Sequence, residues 1–206
     1  MNYIDYNFIE IGTCDFETLI EDCDDETVGI SVEPLNYYLN NLPNKKNVKK
    51  INAAISIDNS ESEIDIYYIP EHKLKENNLP LGLKGCNKIG TFHPHHIKRN
   101  ITHLVEIQEV KQIPLVKLLT ENNVRKIDVF KIDTEGLDCY ILNQLFNYLK
   151  IKEHLFYPKK IIFETNKLTN IDVIQKTVDN FISIGYLIES RNDWKKDGNT
   201  ILVFSN

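Results

Sequence analysis

The sequence lacks the cysteine patterns of a zinc site or a disulfide scaffold. Its four cysteines, Cys14, Cys23, Cys86 and Cys139, form no C-x-x-C pair and have no regular spacing. We therefore expect four reduced thiols and no resident metal. Reduced thiols are typical of the cytoplasm, which is the predicted location.

Long apolar runs and an excess of positive charge are also missing. No run approaches the ~20 residues that cross a bilayer, and the opening residues do not resemble a signal peptide. The 206 residues include 24 Lys and Arg against 30 Asp and Glu, which gives a net charge of −6. This balance argues against nucleic-acid and membrane partners. The length suits one domain, residues 1–206.

The most informative segment is K-I-D-T-E-G-L-D, residues 131–138. An apolar strand, about Ile127–Ile132, leads directly into Asp133 and Glu135. Ligands of open α/β sheets bind at the carboxyl ends of strands, so both carboxylates are candidate catalytic groups. The alternative is that they are solvated acids at the start of the next helix, where the dipole stabilises them. Lys131, inside the strand, is expected to pair with an acid.

A glycine turn and a spaced acid indicate a nucleotide-type site. A strand at about Asn7–Ile11 runs into Gly12, and a helix is predicted over Glu17–Cys23. The next strand, about Val28–Val32, ends at Glu33, 21 positions after Gly12. This spacing fits Rossmann-type folds, in which an acid about 20 residues past the glycine turn binds ribose hydroxyls.

The lone glycine argues against a dinucleotide such as NAD. NAD sites need small residues where Cys14 and Phe16 stand, so that backbone can approach the pyrophosphate. S-adenosylmethionine has no phosphates and needs no such approach. Glu10 and Asp15 could face its ammonium group, directly or through water.

Predicted strands and helices alternate, which indicates an α/β fold with a mostly parallel sheet. After the segments above, the predicted elements are a helix at Pro34–Leu42, strands at Val48–Ile57, Ile64–Ile69 and Leu104–Val110, a helix at Pro114–Glu121, a strand at Asp128–Ile132, a helix at Cys139–Leu149, a strand at Lys160–Phe163, a helix at Asp172–Ile184, and a hairpin of Tyr186–Glu189 and Ile201–Phe204 around Asp197-Gly198. Inserted strands and a lid are expected at about residues 58–110.

Five segments, in order, resemble the FkbM-type S-adenosylmethionine-dependent methyltransferases. They are F-I-E-I-G-T (8–13), G-I-S-V-E-P (29–34), N-A-A-I-S (52–56), V-F-K-I-D-T-E-G-L-D (129–138) and I-I-F-E (161–164). The resemblance implies a Rossmann-like class I methyltransferase sandwich, with a mostly parallel seven-stranded sheet, a C-terminal antiparallel hairpin and an inserted lid. It also implies a hydroxyl acceptor. The family usually has a second glycine where Phe16 stands.

The predicted cofactor is S-adenosylmethionine, which methyl transfer would convert to S-adenosylhomocysteine. Its contacts are predicted from the residues and from the resemblance together. The predicted contacts are Glu10, Gly12, Thr13, Asp15, Glu33, Pro34, Ala53, Ala54 and Asp133.

The histidines between Pro70 and His103 have three interpretations. This segment is predicted to be long and irregular, and His93, His95 and His96 cluster in it. They could line the acceptor pocket, with His93 as a general base beside Asp133 and Glu135. They could instead bind a divalent metal or lie on a loop surface.

Four functions remain open at this point. The first is O-methylation of a hydroxyl on a small molecule or sugar. The others are a weak or inactive S-adenosylmethionine-binding protein, a nucleic-acid 2′-O-methyltransferase, and an NAD enzyme. Glu164, at a strand end, could assist the acceptor or pair with Lys131 or Lys160. A homodimer is expected if a second subunit completes the acceptor site.

Overall fold

The computed structural model describes residues 2–152, 155–196 and 198–205 and has an α/β fold. Its strands are β1 (Ile4–Ile11), β2 (Gly29–Val32), β3 (Val48–Ile51), β4 (Ala54–Ile55), β5 (Ser62–Tyr68), β6 (Lys88–Ile89), β7 (Glu106–Ile113), β8 (Val124–Ile132), β9 (Lys160–Glu164), β10 (Tyr186–Ser190) and β11 (Asn199–Phe204). Its α-helices are α1 (Asn36–Asn41), α2 (Glu71–Glu76), α3 (Pro94–Lys98), α4 (Leu115–Glu121), α5 (Asp138–Ile151) and α6 (Ile171–Ile182).

The main sheet has the strand order β10-β11-β9-β8-β1-β2-β3. The five strands from β9 to β3 are parallel to one another, and β11 is antiparallel to β9. The predicted mostly parallel sheet and the closing hairpin of β10 and β11 are confirmed. Asp197, part of the turn predicted for that hairpin, lies outside the described residues. The chain leaves β1 toward β2 on one side and returns as β8 on the other, so the strand order reverses between β1 and β8.

Both faces of this sheet are buried, and successive side chains of the central strands point to opposite faces. Ile9, Ile11, Phe130 and Ile132 pack in the main core, which also holds buried residues of α4, α5 and α6. On the opposite face Phe8 packs with Ile20, with Leu39 of α1 and with Leu42 directly after that helix. The polar carboxyl ends of β1, β2 and β8 therefore meet at one edge, between two packed layers.

A second sheet, with the order β4-β7-β5-β6, corrects two predictions. The predicted strand Val48–Ile57 is divided, because the chain leaves the main sheet at Asn52 and continues as β4. The Asn52 side chain fixes this exit by donating hydrogen bonds to the carbonyl oxygens of Glu33 and Pro34. The segment Pro70–His103 is not irregular, since it contains α2, β6, α3 and two short 3-10 helices around its own apolar cluster. The two inserted strands predicted at Ile64–Ile69 and Leu104–Val110 are present as β5 and β7, and they pair antiparallel to each other.

The helix predicted at Glu17–Cys23 is wrong, because this stretch forms turns. Long-range polar contacts hold its backbone: the buried Glu10 carboxylate accepts a hydrogen bond from the Leu19 N–H at 2.9 Å. The Lys131 ammonium donates to the Glu17 carbonyl at 2.7 Å. Glu17 itself has a φ of +55°, which an α-helix does not allow. Within the described residues, no helix is both long enough and apolar enough to cross a bilayer.

Candidate active site at the carboxyl edge of the main sheet

A cleft opens above the carboxyl ends of β1, β2 and β8, where the strand order reverses. Its empty volume is about 970 Å³, including space open to solvent. Ligands of doubly wound sheets bind at such reversals. Eight predicted site residues line this cofactor cleft: Gly12, Thr13, Glu33, Pro34, Ala53, Ala54, Asp133 and Glu135.

Gly12 allows the ends of β1 and β8 to approach each other closely. Its φ is +79°, and its N–H donates to the Val32 carbonyl oxygen at 2.9 Å. A Cβ at this position would lie 1.8 Å from the carbonyl oxygen of Asp133. Glycine is therefore required here both by the backbone conformation and by the space available.

Glu33 presents a buried carboxylate to the cofactor cleft, with 3 % of the residue exposed. One carboxylate oxygen accepts the Cys14 N–H at 2.8 Å, and the other accepts the Leu35 N–H at 2.9 Å. Burial raises the pKa of this carboxyl to about 7, while the two backbone donors act in the opposite direction. Each oxygen keeps a second lone pair, so the group can still accept from two hydroxyls.

Asp133 lies at the base of the cleft, directly after β8. Its side chain is exposed to the solvent that fills the cleft. Partial desolvation by the surrounding protein raises the pKa of its carboxyl above the usual value, and the charge of Lys131 partly offsets the rise. In the described part of the chain no group forms a hydrogen bond with its carboxylate. Asp133 is thus a carboxylate open to a ligand, with increased basicity.

Glu10 and Asp15 do not line the cofactor cleft. The Glu10 carboxylate is buried and forms an ion pair with Lys131 at 2.8 Å, which confirms the expected pairing of that lysine. The Asp15 carboxylate pairs with Lys84 and accepts a hydrogen bond from Asn41. Their predicted contact with the ammonium group of the cofactor stays a prediction.

His93 and Glu135 form a hydrogen-bonded pair beside the cleft. His93 is buried at the start of α3, where its Nδ1 accepts a hydrogen bond from the His95 N–H at 3.1 Å. Its Nε2 lies 3.1 Å from a carboxylate oxygen of Glu135. Because Nδ1 acts as an acceptor, the proton is assigned to Nε2, which donates to Glu135. His93 therefore orients Glu135 and has no lone pair directed at a substrate.

Cys86 lies beside this pair, and among the described residues these three form the cluster that could hold a metal. The ligand atoms of Cys86, His93 and Glu135 lie within 4.8 Å of one another. If an ion bound to Nε2, the ring proton would have to leave Nε2 and stand on Nδ1. Nδ1 could then no longer accept the hydrogen bond from the His95 N–H that caps α3. The ring of His95 is stacked on that of His93, and His96 is buried, which lowers its pKa to about 4.

Two further residues of the cleft were not among the predicted contacts. Asn87 lines the cofactor cleft, and its buried Oδ1 has no hydrogen-bond partner among the residues that the structure describes. Phe16 lies at the mouth, where its ring packs against Gly85, 2.9 Å from the position that a Cβ would take. Asn87 had no sequence signal, since it belongs to the insert. The Phe16 departure from the family pattern was visible in the sequence.

A second cavity, with an empty volume of about 880 Å³ that also includes space open to solvent, adjoins the cleft across Glu135. Glu164, at the end of β9, lines it. Burial raises the pKa of its carboxyl to about 9, and the nearby carboxylates, Asp133 first, add to the shift. Neither lysine expected to pair with Glu164 does so, because Lys131 pairs with Glu10 and Lys160 with Glu189.

The fold and the cleft define a Rossmann-like methyltransferase, with acids at strand ends around a glycine turn and one antiparallel strand in a mostly parallel sheet. A family model described as the methyltransferase FkbM domain matches residues 7–182, and the chain belongs to this family. The resemblance of the five segments is confirmed, and family membership supports methyl transfer as the activity. Comparisons with curated proteins and with solved structures found no match.

Proposed function

We propose that this protein is an S-adenosylmethionine-dependent O-methyltransferase that acts on a hydroxyl group of a small molecule or sugar. The observation that carries the proposal is the cofactor cleft itself. It holds a buried carboxylate, Glu33, and a second carboxylate, Asp133, that is open to a ligand, on either side of the Gly12 turn. Membership in the FkbM family supports the same reaction class.

The residues of the cleft fit the proposed donor. Glu33 would accept hydrogen bonds from both ribose hydroxyls through its remaining lone pairs. The apolar side chains of Ile66 and Ile89, with the small Ala54, would pack against the adenine ring. The unpaired Oδ1 of Asn87 would accept from the adenine amino group. When bound, S-adenosylmethionine supplies a methyl group on a positively charged sulfur.

Asp133 is the proposed base for the acceptor hydroxyl. Its carboxylate accepts no other hydrogen bond in the described chain, and its raised pKa makes it a better proton acceptor than a solvated aspartate. Glu135 would orient the acceptor. The His93 Nε2–H holds its side chain, and the Lys88 ammonium donates to its backbone carbonyl at 3.0 Å. His93 would thus position Glu135 rather than accept the proton.

A labelled methyl-transfer assay tests this assignment. The protein is incubated with methyl-labelled S-adenosylmethionine and a panel of hydroxyl compounds, and label in the acceptor is measured. Asp133→Asn is expected to lower kcat by about 100- to 10,000-fold, the range for loss of a general base. Its affinity for S-adenosylhomocysteine should stay within about threefold, well under 1.4 kcal/mol. Asp65→Asn, on the second sheet, is the matched control. Equal turnover of wild type and Asp133→Asn would contradict the assignment of the base.

A further inference from the structure

The second cavity is lined by three lysine side chains that form no ion pair within the described residues. Lys98 at the end of α3, Lys167 after β9 and Lys195 before β11 all line it, although they lie on three separate segments. Their side chains are exposed, and none forms an ion pair within the described residues. Elsewhere lysines commonly face a carboxylate, as Lys73, Lys117 and Lys160 do.

This cluster of positive charge contrasts with the chain as a whole, whose net charge is −6. Two carboxyl groups also line the cavity. Glu135, hydrogen-bonded to the neutral His93, offsets one of the three positive charges. Glu164 has a pKa raised to about 9, chiefly by burial, so it is neutral near pH 7 and can donate a hydrogen bond. Its Oε2 is buried and has no hydrogen-bond partner in the described residues.

The position of the cavity relates it to the acceptor. It shares Glu135 with the cofactor cleft and lies beyond the carboxyl ends of β8 and β9. A molecule that placed a hydroxyl beside Asp133 and Glu135 would extend into this cavity. Its remaining groups would then face the three lysines.

We propose that the second cavity binds an anionic group of the acceptor, so that the substrate is a small hydroxyl compound carrying a phosphate or a carboxylate. This inference rests on the proposed methyltransferase function and names its substrate class. Three ammonium groups around a concave site suit one compact anion. A nucleic acid would need a basic track that continues beyond the cavity, which a chain with more acids than bases does not favour.

Three sugars with the same ring separate charge from shape. Glucose, glucuronate and glucose 6-phosphate are titrated calorimetrically, at low ionic strength, into the protein saturated with S-adenosylhomocysteine. We expect at least one of the charged sugars to bind about tenfold more tightly than glucose, since a charge-assisted contact supplies at least that much. Whichever of the two charged sugars binds more tightly distinguishes a carboxylate from a phosphate.

Three lysine variants and one control assign the effect to the cavity. Lys98→Gln, Lys167→Gln and Lys195→Gln, combined in one protein, should remove the preference for the charged sugar. Lys176→Gln, an exposed lysine on α6 outside the cavity, should retain it. Exposed Lys→Gln changes leave the fold intact, and the affinity for S-adenosylhomocysteine checks this in the same titrations.

Two results would overturn the proposal. One is equal affinity for the three sugars, including no binding of any of them, while S-adenosylhomocysteine still binds. The other is tighter binding of a short single-stranded RNA than of either charged sugar, with loss of that binding in the triple variant, which would assign the lysines to a nucleic acid. Failure to bind S-adenosylhomocysteine is a separate result, which counts against the proposed function itself.

Discussion

The affinity for the cofactor product should depend on pH through Glu33. Its carboxyl has a pKa of about 7, raised by burial, and only the ionised form can accept from both ribose hydroxyls. The protein is therefore mostly competent at pH 8. At pH 5 about one molecule in a hundred is ionised at this position, by the usual titration relation. The apparent Kd rises by the inverse of the competent fraction, so it should increase about 100-fold between pH 8 and pH 5.

Glu33→Gln separates this effect from other titrations. The glutamine keeps the size of the side chain but loses the charge, so the affinity for S-adenosylhomocysteine at pH 8 should fall about 10- to 100-fold. The variant should also lose most of the pH dependence between pH 5 and pH 8, because Glu33 no longer titrates. Glu63→Gln, at an exposed position of β5, should behave as wild type.

Calorimetric titration of all three proteins at pH 5, 6, 7 and 8 provides the measurement, with urea unfolding as a check of the fold. A Glu33→Gln variant whose Kd follows pH as the wild type does would refute the ribose assignment. So would a wild type whose Kd is constant over this range, since it would mean that Glu33 does not titrate there or does not contact the ligand.

Two further predictions concern stability. Gly12→Ala should lower the free energy of unfolding by at least about 2 kcal/mol, because the Cβ adds strain at positive φ and meets the Asp133 carbonyl. Urea unfolding measures this change. The control Gly82→Ala, whose Cβ meets no heavy atom within 4 Å, should be close to neutral. The buried Asp138 has a pKa raised from 3.8 to about 7, chiefly by burial. The folded state thus retains a proton that the unfolded state releases, so stability should fall as pH rises from about 4 to about 7, by at most about 1.4 kcal/mol per unit for this group. Asp138→Asn should reduce that slope in urea unfolding at pH 5 and pH 7, and an unchanged slope would contradict the assignment.

The strand ends could be predicted from the sequence because their signals are local. A run of apolar residues followed by an acid marks both Glu33 and Asp133, and the parallel sheet brings the two ends to one edge. Gly12 was recognisable for the same reason, since it follows directly after a strand. The structure adds the reason why glycine is needed, which is the close approach of Asp133.

Contacts between distant segments account for what the sequence could not predict. The stretch Glu17–Cys23 forms turns and not the predicted helix, because Glu10 and Lys131 hydrogen-bond to its backbone. These two residues are far apart in the chain and meet only in the folded sheet. Asn87 reaches the cofactor cleft because the second sheet folds back over it. No periodicity or motif around that residue indicates such a position.

The most direct test of the central claim is a calorimetric titration of the purified protein with S-adenosylhomocysteine, with NAD titrated in parallel. We expect one site of micromolar affinity for S-adenosylhomocysteine and no binding of NAD. Binding of NAD, or absence of binding by S-adenosylhomocysteine at pH 8, would contradict it, because the cleft around Glu33 and Asp133 would then not be a methyl-donor site.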